Sequence, residues 1–378
     1  MRGRPLLCIF LPSLAGGGAE RVMVTLANSF AQRGFSVDLV LASARGPFLG
    51  AVSSGVRVVD LRSVRVATSV PAFVRYLRNR RPVAMLSAMT HANVIAMASK
   101  RVSGVRVPLV VSERSTISAE AQRAASLSAK AVFLLARCLY KRADQVLAVS
   151  HDAASDLEEF ASLKKGSVRA IYNPFDLKAI ERLSSDALPH PWFVSSQPPV
   201  IIAAGRLSAQ KDFSTLIRAF EKVRRTTKAR LLILGEGDMR VELAALADRL
   251  GLQEDDIQMP GFVANPFAYV SRAAVFVLSS KWEGLPGVLI EAMACGTPVV
   301  SADCRSGPRE ILEDGKWGRL VPVGDVSGFA TAIVEVLSTP KVDLPLVRRR
   351  ADVFGMDSSV DAYLSVLQLP SHAEAISL

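Results

Sequence analysis

Short apolar runs alternate with amphipathic helical stretches along most of the 378 residues of this chain. Such runs are typical of buried strands, and the helical stretches between them supply the crossovers that a parallel sheet needs. The pattern predicts an α/β fold with two tandem Rossmann-like, doubly wound domains and a cleft between them. The predicted strands are Leu6–Leu11, Val37–Leu41, Val56–Asp60, Ala84–Ser87, Leu109–Ser112, Gln145–Val149, Val200–Ala204, Arg230–Leu234, Val275–Leu278 and Pro298–Ser301.

The domain boundaries are predicted from composition. Residues 186–199 are rich in Pro and Ser and have the composition of a linker. We therefore expect an N-terminal domain over residues 1–185, the linker, and a second domain over residues 200–353. Residues 354–378 contain a further helical pattern. Two domains of this kind commonly hold a ligand at the carboxyl ends of their strands.

The positive charge is concentrated in the N-terminal half. Of the formal net charge of +11, residues 1–195 contribute 26 Lys and Arg against 13 Asp and Glu, whereas residues 196–378 contain 20 against 22. An even spread would indicate general solubility, but this asymmetry indicates an anionic partner: a membrane surface, a nucleic acid or a polyphosphate. Nucleic acid is disfavoured because aromatic residues make up only 6% of the chain and no nucleic-acid-reading motif occurs.

Cysteine, histidine and hydropathy patterns exclude other classes. The four cysteines form no Cys-x-x-Cys pair and there are only four histidines, so neither a disulfide framework nor a metal centre is indicated. One long uncharged stretch, residues 83–99, is punctuated by polar groups and is shorter than the roughly 20 apolar residues of a membrane span. No small-residue cleavage site follows the apolar run near the N-terminus, so we do not expect that run to be a secretory leader. We expect a cytoplasmic protein without a resident cofactor.

Two basic stretches of the N-terminal half combine apolar and cationic residues at helical spacing. In residues 72–81, Phe73, Val74 and Leu77 lie on one side with four arginines around them, and residues 131–142 repeat the pattern. Such helices can lie on anionic lipid. The same pattern also fits a core-facing apolar stripe with solvated arginines. The first alternative predicts peripheral association with the inner face of the cell membrane.

Two loops carry residue types suited to phosphate groups. Gly17 and Gly18 lie between the first strand and a helix, where glycine permits close backbone approach and a helix start offers N–H groups to an anion. Their spacing fits neither the dinucleotide-binding fingerprint nor a Walker A loop. Arg206 and Lys211 follow the strand that ends at Ala204, and two cations there suit a diphosphate.

A third segment, residues 283–296, carries two carboxylates around a short helix. Pro286 suits the first helical position and Gly296 the C-terminal end. Glu283 then falls in the loop before the helix and Glu291 within it. A lone carboxylate on an apolar helix is costly without partners, and sugar hydroxyls would be good partners.

These motifs resemble those of family-4 retaining glycosyltransferases of the GT-B architecture, and the resemblance to this family, which includes bacterial surface-polysaccharide enzymes, runs nearly end to end. The matching segments are Gly17-Gly18-Ala19-Glu20-Arg21, Asn173-Pro174-Phe175-Asp176, Gly205-Arg206-Leu207 with Lys211-Asp212, Gly235-Glu236-Gly237, and the Glu-Gly-Leu-Pro and Glu-Ala-Met-Ala blocks that begin at Glu283 and Glu291. The resemblance implies metal-independent transfer of a hexose or N-acetylhexosamine from a nucleotide sugar, UDP-linked on family grounds. The absence of any Asp-x-Asp agrees with metal independence. Similar enzymes use either soluble or lipid-linked acceptors, and the N-terminal domain binds the acceptor in this architecture. The positive charge of that half therefore favours a lipid-diphosphate-linked glycan in polysaccharide or glycolipid biosynthesis. A C-terminal helix that packs back toward the N-terminal domain is also implied.

The resemblance also implies roles for individual residues. Arg206 and Lys211 would hold the donor diphosphate, Glu283 would contact the donor sugar and Glu291 the ribose. Further donor-binding residues implied in the same way are Gly17, Gly18, Phe262, Gly284, Leu285, Pro286, Val288 and Leu289.

The acceptor side is less constrained by the sequence. Many family members have a histidine after an N-terminal strand where this chain has Glu113, which is assigned a catalytic or acceptor-contacting role, with a buried ion pair to Arg114 or another arginine as the alternative. Arg114 and His91 are candidate acceptor contacts, and His91 alternatively caps the following helix. A transferase with a soluble acceptor and a UDP-sugar epimerase of the same architecture remain as alternative functions, the second disfavoured by the Glu-Gly-Leu-Pro block.

Overall fold

A computed structural model describes residues 4–15, 17–194, 196–338 and 344–372, the side chain of Leu344 excepted. The strands are β1 Leu6–Leu11, β2 Ser36–Leu41, β3 Val56–Asp60, β4 Ala84–Ala88, β5 Leu109–Ser112, β6 Gln145–Ala148, β7 Val168–Ala170, β8 Val200–Ala204, β9 Arg230–Leu234, β10 Ile257–Gly261, β11 Val275–Leu278, β12 Val299–Ala302 and β13 Arg319–Val321. The helices are α1 Gly18–Gln32, α2 Val70–Arg80, α3 Thr90–Ser103, α4 Ile117–Arg123, α5 Leu127–Leu139, α6 His151–Ala161, α7 Leu177–Ser184, α8 Phe213–Arg224, α9 Arg240–Arg249, α10 Pro266–Val270, α11 Gly287–Ala294, α12 Pro308–Ile311, α13 Val326–Ser338, α14 Leu344–Asp352 and α15 Met356–Val366.

The strands form two parallel sheets, each doubly wound, which confirms the predicted fold class. The first sheet has the order β3-β2-β1-β4-β5-β6-β7 and the second the order β10-β9-β8-β11-β12-β13. In each sheet the order reverses once, between β1 and β4 in the first and between β8 and β11 in the second. Loops that leave the carboxyl ends of such a strand pair diverge to opposite faces, and ligands of open α/β sheets bind there.

The chain divides into two compact units that differ from the predicted domains in their bounds. The first unit comprises residues 1–174 and 356–378, and the second comprises residues 175–355. The predicted linker, residues 186–199, therefore belongs to the second unit. Gly16, Ser195, residues 339–343 and the C-terminal residues 373–378, on which parts of the sequence predictions fall, lie outside the described residues.

Aromatic packing explains why the Pro-rich segment belongs to the second unit. Trp192 is buried, and the guanidinium of Arg230 lies over its indole ring at 5.1 Å. The rings of His190 and Phe193 both contact the ring of Tyr269, with centroid distances of 5.8 and 6.0 Å. Composition alone could not separate a linker from a packed segment, because Pro and Ser occur in both.

Helix α15 packs on the first unit. Val360, Tyr363 and Leu364 are buried in the hydrophobic cluster that also holds residues of α1 and β1. Arg33, which follows α1, forms ion pairs with Asp357 and Asp361 of α15. The chain thus returns to the first unit after completing the second sheet.

The apolar side of α2 faces the protein core. Phe73 and Leu77 are fully buried, and the ring of Phe73 stacks on that of Phe10 with 4.2 Å between centroids. The prediction that residues 72–81 lie on lipid through these side chains is therefore wrong. Helix α2 is amphipathic as predicted, but the partner of its apolar face is a strand of the sheet.

Helix α5 differs from α2 because apolar side chains lie on its outer surface. Leu127, Leu134 and Leu135 are 86%, 64% and 50% exposed. Its opposite side packs through half-buried Phe133, whose ring meets that of Phe160 edge-on. No helix among the described residues has the length and apolar character needed to cross a bilayer.

The contrast between the two helices is testable by alanine substitution. Phe73→Ala removes a buried ring and should lower the free energy of unfolding by about 3–5 kcal/mol. Leu134→Ala removes an exposed side chain and should change it by no more than about 0.5 kcal/mol. Urea unfolding followed by circular dichroism measures both. Equal destabilisation by the two substitutions would contradict the burial described for α2 and α5.

Candidate functional site

In the second unit, the predicted donor residues other than Phe262 lie in the loops after β8 and β11, the two strands at the reversal of order, and in helix α11, which follows the second loop. Hydrogen bonds tie these loops together. The Lys281 N–H donates to the Gln210 carbonyl at 2.8 Å, and the Gln210 side-chain amide donates to the Trp282 carbonyl at 2.9 Å. The Ser279 hydroxyl donates to the Lys211 carbonyl at 2.8 Å. The loops therefore form one connected platform at the carboxyl ends of the strands.

Lys211 and Glu283 meet at the centre of this platform. The Lys211 Nζ donates to Glu283 Oε1 at 2.6 Å, and the Ser280 hydroxyl donates to the same oxygen at 2.6 Å. Both side chains of the ion pair are largely withdrawn from solvent. Because a buried carboxylate without a cation is costly, Lys211 stabilises Glu283. Two residues 72 positions apart in sequence are thus brought together, as the predicted site requires.

The Cys304 thiol, whose pKa depends on the charges of Glu283 and Lys211, is disfavoured as a nucleophile. Burial, followed by the negative charge of Glu283, raises the pKa of Cys304 to about 12. A thiol with this pKa stays protonated at neutral pH and is a poor nucleophile. Cys304 is therefore a packing residue of the platform.

Arg206 lies on the same loop as Lys211 with its side chain exposed. Its guanidinium forms no hydrogen bond or ion pair with the residues that the structure describes. The loop itself is fixed by the next residue, because Leu207 is buried and its N–H donates to the Glu236 carbonyl at 2.8 Å. A guanidinium held at a loop base but open to solvent can fork onto two phosphate oxygens.

Two glycines permit the loops around the platform to approach each other. Gly235 has φ +136°, and a Cβ there would lie 2.0 Å from the Gly205 carbonyl oxygen. Gly307 has φ +95°, and its Cβ would lie 2.4 Å from the Pro286 side chain. The segment after β12 therefore packs directly on the Glu-Gly-Leu-Pro loop. Sequence reasoning missed Gly307, because a single glycine before a proline indicates only a turn.

The start of α11 differs in detail from the prediction. Pro286 is the N-cap residue and Gly287 begins the helix, whereas the sequence placed Pro286 at the first helical position. The Leu289 N–H donates to the Pro286 carbonyl at 3.0 Å, so this amide is engaged within the turn. Gly296 has φ +77° just beyond the helix, which confirms the C-terminal glycine.

The remaining predicted donor residues divide by burial. Gly284, Leu285, Leu289 and Glu291 are buried, whereas Val288 is half-buried. Glu291 lies in the interior of α11, and burial, followed by the charge of Glu291, raises the pKa of Cys295 to about 12. Phe262 follows β10 with its ring largely exposed, so the ring is open to a ligand.

In the first unit, Gly17, Gly18 and His91 follow β1 and β4, the strand pair at the reversal of order. Gly17 is the N-cap of α1 in an extended conformation and Gly18 is its first residue. His91 is exposed at the second position of α3. Met89 is the N-cap of that helix and no side chain caps it, so the alternative role of His91 as a cap is not realised.

Glu113 is enclosed by hydrogen-bond donors. Glu113 is buried, with only 3% of its surface exposed. The Thr90 hydroxyl donates to Oε2 at 2.9 Å, the Asn93 amide donates to Oε1 at 3.2 Å, and the Tyr140 hydroxyl donates to Oε1. The alternative of an ion pair with Arg114 is wrong. Three neutral donors take the place of a cation, and they come from α3 and the turn after α5.

This enclosure changes the interpretation of Glu113. Burial raises the pKa of Glu113 to about 7, and the hydrogen bonds from its neighbours oppose the shift. A carboxyl group that solvent does not reach and that three donors already occupy is not placed to touch an acceptor. The structure favours a positioning role, in which Glu113 fixes the start of α3 beside His91. Sequence spacing gave no signal for Tyr140, which lies 27 residues away.

Arg114 is likewise engaged within the first unit. Its guanidinium donates to the Tyr363 hydroxyl oxygen at 2.9 Å, to the Asn173 side-chain oxygen, and to the Ser112 hydroxyl at 3.4 Å. Asn173 belongs to the Asn-Pro motif at the end of the first segment, and Tyr363 belongs to α15. Arg114 therefore joins the two ends of the first unit, and a role as an acceptor contact stays a prediction.

The described residues contain no cluster of three or more His, Cys, Asp or Glu side chains arranged to hold a metal ion.

Comparison with known proteins gives consistent matches along the chain. Residues 198–339 match the sequence profile of "Glycosyl transferases group 1", and residues 16–179 match that of "Glycosyltransferase Family 4". The chain is 30% identical over 345 residues to the N-acetylgalactosamine-N,N'-diacetylbacillosaminyl-diphospho-undecaprenol 4-alpha-N-acetylgalactosaminyltransferase of Campylobacter jejuni, covering 89% of this chain and 91% of that protein. It is 28% identical over 300 residues to the amylovoran biosynthesis glycosyltransferase AmsD of Erwinia amylovora, covering 79% and 80% of the two chains.

Solved structures with the same fold include Anabaena HepE in complex with UDP and glucose. This match has a TM-score of 0.81 at 21% identity and covers 96% of this chain and 99% of that one. The apo form of the lipopolysaccharide outer core galactosyltransferase WaaB matches with a TM-score of 0.75 at 20% identity, covering 96% and 99%. At these identities the matches establish the fold.

The buried Glu113 makes stability depend on pH. The native carboxyl keeps its proton up to about pH 7, whereas the unfolded one loses it near 4.5. The native state therefore binds more protons in this window, and its free energy of unfolding should fall by up to about 3 kcal/mol as the pH rises through it. Glu113→Gln should remove this fall. Urea unfolding across the window, with Glu242→Gln on α9 as the control, measures it, and parallel curves for wild type and Glu113→Gln would refute the assignment.

The Lys211–Glu283 pair can be tested by a double-mutant cycle. Lys211→Met leaves the Glu283 carboxylate without its cation and should lower the free energy of unfolding by roughly 3 kcal/mol. Adding Glu283→Gln should restore part of this loss, because the neutral amide needs no cation. Additive effects of the two substitutions would mean that the side chains do not interact in solution.

Proposed function

Because the chain belongs to glycosyltransferase family 4, we propose that this glycosyltransferase moves a hexose or N-acetylhexosamine from a UDP-sugar to a lipid-diphosphate-linked glycan with retention of configuration. One observation carries the proposal. The cations Arg206 and Lys211 and the carboxylate Glu283 share one connected platform at the strand reversal of the second unit. This chemistry suits a sugar diphosphate, which presents both anionic oxygens and hydroxyl groups.

When the donor binds, Lys211 and Glu283 would each take a partner from the donor in place of the other. In the structure, Lys211 donates to the Glu283 carboxylate at 2.6 Å. A diphosphate offers Lys211 and Arg206 stronger anionic acceptors, and sugar hydroxyls offer Glu283 new donors. Glu291 would bind the ribose from α11, and exposed Phe262 would border the base. The main-chain groups of residues 284–288 would line the sugar and phosphates, and Gly17 and Gly18 stay predicted phosphate contacts.

Catalysis would follow from stabilising the leaving group. As the bond between the anomeric carbon and the phosphate oxygen breaks, negative charge grows on the diphosphate, and the cations of Arg206 and Lys211 stabilise it. The acceptor hydroxyl would attack from the same face and give its proton to a leaving phosphate oxygen, which accounts for retention without a carboxylate nucleophile. Neither step needs a metal ion. Glu113 would act indirectly by fixing the start of α3.

Relatives and charge support the acceptor class. The Campylobacter relative is named for an acceptor in which the sugar is attached to diphospho-undecaprenol. Residues 57–142 of this chain contain 16 basic and three acidic residues, which suits a diphosphate lipid at an anionic membrane surface. We therefore also propose cytoplasmic, peripheral membrane association and a role in polysaccharide or glycolipid biosynthesis. A soluble acceptor is the alternative, and transfer to a water-soluble glycan with no lipid present would favour it.

The donor site is tested by thermal shift with UDP-, GDP- and ADP-sugars. A UDP-sugar at about 100 times its Kd should stabilise the protein by roughly 2.7 kcal/mol, and Glu291→Ala should abolish the effect. Glu242→Ala, an exposed carboxylate on another helix of the same unit, is the control and should leave it unchanged. Stabilisation by a GDP-sugar alone would overturn the UDP assignment, and stabilisation of Glu291→Ala equal to wild type would overturn the site.

The reaction class is tested with the same protein and a synthetic polyprenyl-diphosphate glycan. We expect UDP release that depends on the acceptor, persists in EDTA, and gives a product with the anomeric configuration of the donor by NMR. Release of UDP without acceptor, together with a rearranged free sugar, would identify the epimerase instead.

A further inference from the structure

Helix α5 carries an outward apolar stripe that no other part of the described chain covers. Leu127, Ala131, Leu134 and Cys138 recur at intervals of four, three and four residues, which places them along one face of a helix. All four are exposed, and Leu135 beside them is half exposed. Leucines at 86% and 64% exposure on one face form a continuous surface, unlike the scattered single leucines of ordinary protein exteriors.

A row of cations runs beside this stripe. Lys130, Arg137 and Lys141 are exposed along the same side of α5 and the turn that follows it. None of the three forms an ion pair with a residue that the structure describes. No acidic residue occurs from position 121 to position 143, so the positive charge is not neutralised along the chain. An apolar stripe bordered by unneutralised cations is complementary to an anionic surface with an apolar interior.

The opposite side of α5 is fully used in packing. Val132, Phe133 and Leu139 pack against the core cluster of the first unit, in which Ala136 is buried. After the helix, the Tyr140 hydroxyl donates to Glu113 and fixes its end. The outward stripe is therefore not needed to hold the helix in place.

We propose that the outward face of α5 docks on an anionic lipid bilayer. Leu127 and Leu134 enter the boundary between headgroups and acyl chains, while Lys130, Arg137 and Lys141 lie at the level of the lipid phosphates. This deepens the proposed function and rests on its membrane-bound acceptor, because it assigns the membrane contact to one helix face. Helix α2 is excluded from this role, since its apolar side is buried against the first sheet.

The test is flotation of the full-length protein with vesicles of phosphatidylglycerol and phosphatidylcholine at low salt. Wild type should float with these vesicles and not with phosphatidylcholine alone. The combined substitution Lys130→Gln, Arg137→Gln and Lys141→Gln should lower the partition coefficient about 100-fold, at about 1 kcal/mol for each charge removed. The combination Leu127→Gln and Leu134→Gln should abolish flotation with vesicles of either composition.

Matched controls remove the same groups elsewhere. Arg75→Gln, Arg101→Gln and Arg106→Gln remove three exposed charges from other parts of the first unit, and Val241→Gln replaces an exposed apolar residue of the second. Both controls should float like wild type. Unchanged melting temperatures of all variants exclude unfolding as the cause of any loss.

Several outcomes would overturn the assignment. One is that the wild type does not float, and another is that the α5 variants float as well as the wild type. A third is that the charge control loses as much flotation as the α5 charge variant, which would mean that diffuse charge suffices. A dimer that becomes monomeric with Leu127→Gln and Leu134→Gln would show that a second copy covers the stripe. UDP-sugar thermal shift on the same variants separates the two proposals. A docking surface confirmed in a protein that binds no nucleotide sugar would leave the membrane assignment standing and refute the donor site.

Discussion

Parallel strands all have their carboxyl ends at the same end of a sheet, and a reversal of strand order sends the loops that leave those ends to opposite faces. In the second unit this constraint separates the loops after β8 and β11 to opposite faces, and the hydrogen bonds of Gln210 with Lys281 and Trp282 rejoin them. The cations and the carboxylate of the candidate site depend on that arrangement, because Lys211 and Glu283 lie on different sides of the reversal.

The two buried carboxylates are stabilised in different ways, and this separates their roles. Glu283 has a cation at 2.6 Å, which a diphosphate can take over when the donor binds. Glu113 has three neutral donors, from Thr90, Asn93 and Tyr140, and a pKa raised to about 7 by burial. A carboxylate paired with an exchangeable cation is suited to a ligand. One enclosed by neutral donors is suited to holding α3 and the end of α5 in register.

Most strands were predictable from the sequence because a strand buried on both faces is a continuous apolar run. The strands that the sequence did not predict lack this signal. β7 and β13 have three residues each, and β10 contains Pro260, which a strand tolerates at the edge of a sheet, where β10 lies. The two basic helices show a limit of another kind. Periodicity identified both α2 and α5 as amphipathic, but it could not tell which apolar face had a strand to pack on.

The sequence by itself determined the two parallel sheets and the family resemblance. It also determined the positions of Arg206, Lys211 and Glu283 in the loops after strands and that of Glu291 in the helix that follows, because each of these is encoded in local pattern and spacing. The tertiary structure alone decided the partners. Tyr140 reaches Glu113 across 27 residues and Tyr363 reaches Arg114 across 249. Such contacts arise from the way that helices pack on sheets, and no local pattern records which side chains the packing brings together.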